Sequence, residues 1–544
     1  MSVLAIAWIV FAEVTLLRPP RDLPPAPHHD LVTDATGTRH YGRSYLRRHG
    51  GVWEMGLYGD PVELGDAHAH LIRDVMFRVE GEMMKLFARF VPSAALRSFI
   101  TTLVRAQHWH LDRNYPHDRL YEMAAEARGL GENDPFADFL PTYHRVLTLH
   151  ALYDISLSFE HSPLIGCTAL FAAGDHTADG HTYVGRNFDM EIDPVFDTEK
   201  TVVLFHPRGG IPFASVAWPG LTGVVTGMNR DGIFVAVHGG RASSPSTHGV
   251  PVPTTVRTVL EHAHTLDEAI AIVRRDAPMV SHILFVVSGD EGRGVVIERA
   301  PDREPFVRPL GTMGGVSNHY AAPYLASDPK NLAVRDHTSS IARQTRVDEL
   351  VAENDHHFDP NAMLAVLRDR RGEGDRDEPL GHRGTLDAWI ATHSVIGDAT
   401  ARVLWVSSGP HTLGHYERFD LRELLSDEYT PAETVQTAVL PADPAFENGL
   451  YARWTAAHAD LDQASRRLDR HDPAAALALI DRADARIAPE HDMDALHLRA
   501  RALTDLHRNT DAVAAWRAYL DARPSSPAET RAARDALHQL GASP

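Results

Sequence analysis

Leu164-Ile-Gly166-Cys167-Thr168-Ala-Leu-Phe-Ala-Ala173, followed closely by Asp179-Gly180-His-Thr-Tyr-Val-Gly185-Arg186-Asn187-Phe-Asp189, is where the chain changes character. Before it, residues 40–160 read mainly as helix. Gly59-Asp-Pro-Val-Glu-Leu-Gly65 leads into apolar positions at helical spacing, and further helices are expected over 94–111 and 143–157. After it come short β-rich runs: CTALFAA, HTYVGRN, TVVLFH, FASVAW, GVVTGM and IFVAVH. Asp179-Gly180 and Asp231-Gly232 are hairpin turns by composition. A helical interval at 256–275 follows, then HILFVVS and GVVIERA, helices near 339–353 and 361–368, and the strands THSVIGD and RVLWVSS. Strands, then helices, then strands again imply an α+β fold with two sheets between helical layers.

The 544 residues are enough for more than one domain, and a net charge of -20 argues against a nucleic-acid partner. Histidine is abundant at 34, yet no H-E-x-x-H and no CxxC occurs, so neither a metal nor another cofactor is expected. A single cysteine excludes an internal disulfide. Residues 3–17 (VLAIAWIVFAEVTLL) are apolar apart from Glu13 and run into a proline-rich linker. They suit an export signal or membrane attachment, with a buried N-terminal helix in a cytoplasmic protein as the alternative. From Leu450 the chain is Ala-rich at helical spacing, with Pro489 and Pro524 at a period close to that of tetratricopeptide repeats. Such a tail is a candidate protein-binding surface, separable from the sheets provided it buries little against them.

A cysteine nucleophile needs an activating base and donors for the oxyanion. Cys167 lacks the C-G-x-C-[WY] context of papain-like enzymes. Cutting the Gly166–Cys167 bond would give Cys167 a free α-amine, which titrates near neutrality and can take the thiol proton. Base and nucleophile would then sit on one residue.

Gly-Cys-Thr with the later G-R-N-F-D of residues 185–189 resembles the penicillin acyltransferase (peptidase C45) family of N-terminal-nucleophile (Ntn) hydrolases, and more distantly bile salt hydrolases and acid ceramidase-like enzymes. Gly59 to His68, Gly227-Met-Asn-Arg-Asp-Gly232, Ser317-Asn318-His319, Ser340 to Arg346, Thr392-His-Ser-Val and Leu404-Trp-Val match further family motifs in order. The resemblance implies a four-layer αββα sandwich, self-cleavage between Gly166 and Cys167, and an acyl-thioester on Cys167. It also implies roles for Arg186 in lowering the thiol pKa, Asp189 in holding the new α-ammonium, and Asn318 in donating to the tetrahedral oxygen. Where the family carries a second asparagine donor this chain has Val237-His238-Gly239, so His238 or a neighbouring backbone N–H takes that place. Arg343 and Arg346 both fit the family's helix arginine. Asn229 reads as a turn residue.

The expected organisation is an apolar segment and linker at 1–39, a helical pro-segment at 40–166, the Ntn core at 167–425 and a helical tail at 450–544. The expected activity is cleavage or transfer of the acyl group of a small-molecule amide. The alternatives are a degenerate domain serving the tail as a scaffold, and a conventional Cys/His protease.

Overall fold

The computed structural model describes residues 10–11, 13–131, 133–158, 166–243, 248–431 and 439–543. Among these, two large sheets stack face to face. One has eleven strands and contains Val52–Gly59, Thr201–Pro207, Thr226–Asn229, Ile233–Gly239 and His282–Ser288. The other has six, in the order Met313–Val316, Gly166–Gly174, Gly180–Asp189, Ala391–Asp398, Val403–Ser407 and Tyr416–Asp420. Alternation along each strand explains the layering. Ala169, Phe171 and Val184 face Phe234, Ala236 and Phe285 between the sheets. Leu170, Ala172 and Tyr183 turn outward to the helices Ser340–Glu353 and Pro360–Leu367. On the far side, Val235, Val237 and Leu284 pack against Pro61–Phe90, Val252–His262 and Leu266–Arg275. The result is the αββα sandwich.

The stretch 40–59 is not helical. Ser44–His49 and Val52–Gly59 pair antiparallel, and Val52–Gly59 then runs parallel to Thr201–Pro207, so this segment extends the large sheet. Alternation is hidden there because charged residues are buried in pairs. Arg47 lies opposite Glu54 in register and donates to it at 2.8 Å, while His49 Nδ1 meets the other Glu54 oxygen at 2.6 Å.

Gly59 to His68 opens the long helix Pro61–Phe90. The Asp60 carboxylate accepts the N–H groups of Val62 and Glu63, both at 3.0 Å, and Glu63 returns a bond to the Asp60 N–H at 2.7 Å, a complete capping box with Pro61 at the first position. Gly65 lets this helix cross His117–Leu130 closely, since a Cβ there would collide with the Glu122 carbonyl. We expect Asp60→Ala to destabilise the chain by about 1 kcal/mol, measurable as a shift in denaturant midpoint at unchanged slope.

Five helices from Leu450–Asp469 to Pro527–Gln539 form the C-terminal region. They are docked, not separate: Trp389 and Leu413 of the sandwich are buried in one cluster with Trp454, Leu461 and Ile480. No helix of the described residues is long and apolar enough to cross a membrane. Most of the apolar stretch 3–17 lies outside those residues; its last member, Leu17, is buried and donates its N–H to His144 Nδ1 at 3.3 Å.

Candidate active site

Cys167 is the second residue of Gly166–Gly174, fully buried at the end of the strand pair formed with Gly180–Asp189. The two-residue period of Gly180–Asp189 sorts the G-R-N-F-D motif by face. Asn187 points outward, donating to the carbonyls of Leu367 (2.8 Å) and Leu386 (2.9 Å), and so ties the sheet to its helical layer. Arg186 points inward and crosses to the large sheet. It donates to the Val237 carbonyl, to Thr226 Oγ1 and to the Val225 carbonyl (3.4 Å), with one Nη 3.3 Å from Cys167 Sγ. Among the described residues no carboxylate pairs with Arg186, so its charge is directed at the sulfur. Burial pushes the thiol pKa up, and Arg186 is the largest influence opposing that rise, with Asp189 reinforcing it.

Gly166 lies opposite Asp189 in register, and a Cβ on Gly166 would sit 3.3 Å from the Asp189 Cβ. Burial pushes Asp189 up to about 7, against the pull of Arg343 and with Asp387 adding to the rise. An acid of that strength beside the Gly166–Cys167 bond can both give and take a proton near neutrality.

Packing separates the two helix arginines. Arg343 is buried against the site: Nη1 donates to the Cys167 carbonyl (2.6 Å) and to Thr168 Oγ1 (3.0 Å), and Nη2 to Asn318 Oδ1 (2.7 Å). Arg346, three residues on, turns away to Asp369 (2.8 Å) and Asp375 (3.0 Å) and has no part in the site.

Asn318 stands differently from the donor role the resemblance implied. Arg343 can only donate, so the Asn318 atom facing it is Oδ1, which also accepts the Cys167 N–H at 2.7 Å. Its Nδ2 donates to the Gly239 carbonyl at 2.9 Å. In the uncut chain Asn318 therefore holds the nitrogen that cleavage would free. His238 is buried beside the Cys167 backbone, and neither ring nitrogen makes a hydrogen bond of normal geometry. Burial, then Arg186 and Arg343, hold its pKa far below the usual histidine value, so the ring is neutral. A neutral imidazole still carries one N–H to offer. Asn229 is a structural turn residue, spanning Leu260, Ala263 and the Asp231 and Ile233 amides.

Two site residues escaped the sequence reading. His393 Nε2 is 3.1 Å from Arg186 and 2.9 Å from Thr226 Oγ1, so this pair fixes the guanidinium from the far side. Both come from strands remote in sequence, and only the hint of Thr392-His-Ser-Val as a motif pointed to one of them.

Two stacked sheets lie between helical layers, with a buried cysteine at a strand head, which is the arrangement the resemblance to Ntn hydrolases implies. Residues 176–386 match the family described as acyl-coenzyme A:6-aminopenicillanic acid acyl-transferase. Over those residues the chain is similar to this penicillin acyltransferase-like family. The match begins beyond Cys167, so the place of that residue rests on geometry. Protein dcd1A of Dictyostelium discoideum is 23% identical over 238 residues, 39% of this chain and 51% of the relative, so the match spans about half that relative's length. Among solved structures, an N-acylethanolamine-hydrolyzing acid amidase ortholog from Caenorhabditis elegans is similar at 20% identity and TM-score 0.32, over 43% of this chain and 93% of that one. Penicillin V acylase from Agrobacterium tumefaciens is similar at 14% and 0.30, over 51% and 99%. A mutant form of conjugated bile acid hydrolase from Clostridium perfringens stands at 12% and 0.32, over 49% and 98%.

Proposed function

We propose that this chain is a self-cleaving cysteine hydrolase or acyltransferase acting on an amide C–N bond. The observation that supports it most is the grouping at one strand head: Arg186 3.3 Å from Cys167 Sγ, Asn318 Oδ1 2.7 Å from Cys167 N, and Asp189 against Gly166. In maturation, Sγ attacks the Gly166 carbonyl carbon, the Gly166–Cys167 C–N bond breaks, and the nitrogen takes up the thiol proton. Water then hydrolyses the thioester, leaving a Gly166 carboxylate and a free α-amine. In turnover that amine accepts the thiol proton while Asn318 and Asp189 hold it. The thiolate, stabilised by Arg186, attacks the substrate carbonyl, and the proton departs on the leaving amine. Water resolves the thioester in hydrolysis, another amine in transfer; hydrolysis is the outcome we favour. His238 is the candidate oxyanion donor.

Intact mass of the purified chain tests this. Fragments ending at Gly166 and beginning at Cys167 are expected, and a fully active uncut protein would refute the mechanism. Blocking the α-amine with the thiol left free should abolish turnover. A Cys/His protease would survive that treatment and would need a histidine on the sulfur, whereas Arg186 is the hydrogen-bond partner of Sγ among the described residues.

A pH dependence follows from Asp189. Its carboxyl is raised from 3.8 to about 7 in the folded, uncut chain, so the folded state binds the proton more tightly than the unfolded state does. Stability from this group is therefore greatest at low pH and is lost as pH rises from about 4 towards 7. In the uncuttable Cys167→Ala chain, Asp189→Asn is expected to flatten that part of the stability profile, read by denaturant unfolding at pH 4, 5.5 and 7. An unchanged slope would remove Asp189 from the account. In the cleaved protein the α-ammonium beside Asp189 should pull its pKa down again.

A further inference from the structure

A cavity of about 300 Å³ opens beside Gly166. Its lining includes the buried Asp189, Asn318 and Arg343 together with Ser525 and the exposed Glu529 at the start of the last C-terminal helix. The helical region thus reaches the candidate active site itself.

Residues 380–390 show how it is held there. The Leu380 N–H donates to the His491 carbonyl at 2.8 Å, and the Met493 N–H to the Leu380 carbonyl at 3.2 Å. His382 Nδ1 accepts the Gly384 N–H at 3.0 Å, which leaves the proton on Nε2, 2.8 Å from the Arg523 carbonyl. Trp389 lies among Tyr451 and Trp454, with ring centroids 5.6 and 5.1 Å away. Its φ of +55° is a strained conformation for a bulky residue, one that persists only where the surroundings enforce it. Arg383 and Ala388 between these anchors, and Ile390 just after the last, line the cavity. One segment therefore grips the tail with some side chains and shapes the cavity with the others.

Acidic and basic side chains both line the cavity, Asp189, Glu191 and Glu529 with Arg343 and Arg383. Arg383 is paired with Glu191. Arg343 is engaged by Asn318, Thr168 and the Cys167 carbonyl. Glu529 accepts only from neutral donors, the Ser526 N–H and Ser525 Oγ, both at 3.1 Å, and has no ion pair among the described residues. An unpaired carboxylate at the mouth of a cleft concentrates cations there.

We propose that the cavity beside Gly166 is the approach to Cys167, that the C-terminal helical region is its working wall, and that Glu529 selects substrates bearing a cationic group on the portion held at that wall. This rests on Cys167 being the reacting residue.

The single cysteine supplies a test that does not need turnover. Cationic 2-aminoethyl methanethiosulfonate and neutral methyl methanethiosulfonate each transfer an alkylthio group to the Cys167 thiolate and release methanesulfinate, so their rates, read by mass, report the charge along the approach. Glu529→Gln keeps the capping box with Ser526, and Glu529→Lys inverts the charge. In the full chain the cationic-to-neutral rate ratio is expected to fall by about threefold in the first and about tenfold in the second, with fragment formation as in the wild type. KM for an N-acyl diamine should rise relative to its neutral N-acyl alkylamine analogue, with kcat little changed. Equal ratios in all three proteins would overturn the proposal, as would a Cys167 that neither reagent reaches. Absence of cleavage and turnover in the wild type would instead refute the enzymatic reading and leave the rate ratios to decide the role of Glu529.

Discussion

Replacing Cys167 with alanine is expected to leave a folded, uncut chain without measurable turnover, a loss on the order of 10³-fold or more. The substitution removes one buried sulfur, and the strand pairing on either side runs through backbone groups that alanine retains. Folding should therefore survive while chemistry does not. Arg186→Lys is the informative companion. A lysine can present charge to Sγ, but it cannot fork to the Val225 and Val237 carbonyls and Thr226 at once. Because Arg186 opposes the upward push of burial on the thiol, weakening it should move the pH profile of Cys167 alkylation to higher pH. An unmoved profile in the lysine variant would mean that the guanidinium is a structural brace and that something else activates the sulfur.

What could be read beforehand was whatever depends on local period and rare residue types. A lone cysteine before a β-rich run singles out Cys167, and it is the resemblance of G-R-N-F-D to the family motif that implies Arg186 and Asp189 beside it. The charged strands 44–59 were illegible because hydropathy cannot see that Arg47, His49 and Glu54 neutralise one another across a pair. Arg343 and Arg346 are a helical step apart, so sequence puts both on neighbouring faces; only the direction of packing against the strand Gly166–Gly174 tells them apart. The orientation of Asn318 was out of reach for a related reason. It is set by Arg343, a donor that approaches from another layer, and no motif records which end of an amide a neighbour will meet. His393 and Thr226 depend on the meeting of two sheets.

Ending the chain at Asn448 is expected to cost at least about 2–3 kcal/mol of stability and to produce a sticky protein, contrary to the separable cap that composition suggests. Trp389 is 2% exposed in the full chain, covered by Tyr451 and Trp454. Removing residues 449–544 bares its indole together with Leu413, and takes away the packing that enforces the left-handed backbone at Trp389. The His382–Arg523 and Leu380–His491 hydrogen bonds go with it, so 380–390 loses its anchors and relaxes. The sheets themselves are built from residues before 421, so the shortened chain should keep its strand signature in circular dichroism while melting at lower temperature and binding a hydrophobic dye. Trp389→Ala in the full chain separates the two contributions, because it removes the ring but retains the helices. If both chains melt with the wild type, the helical region is a passive appendage and Trp389 is held by the sandwich alone.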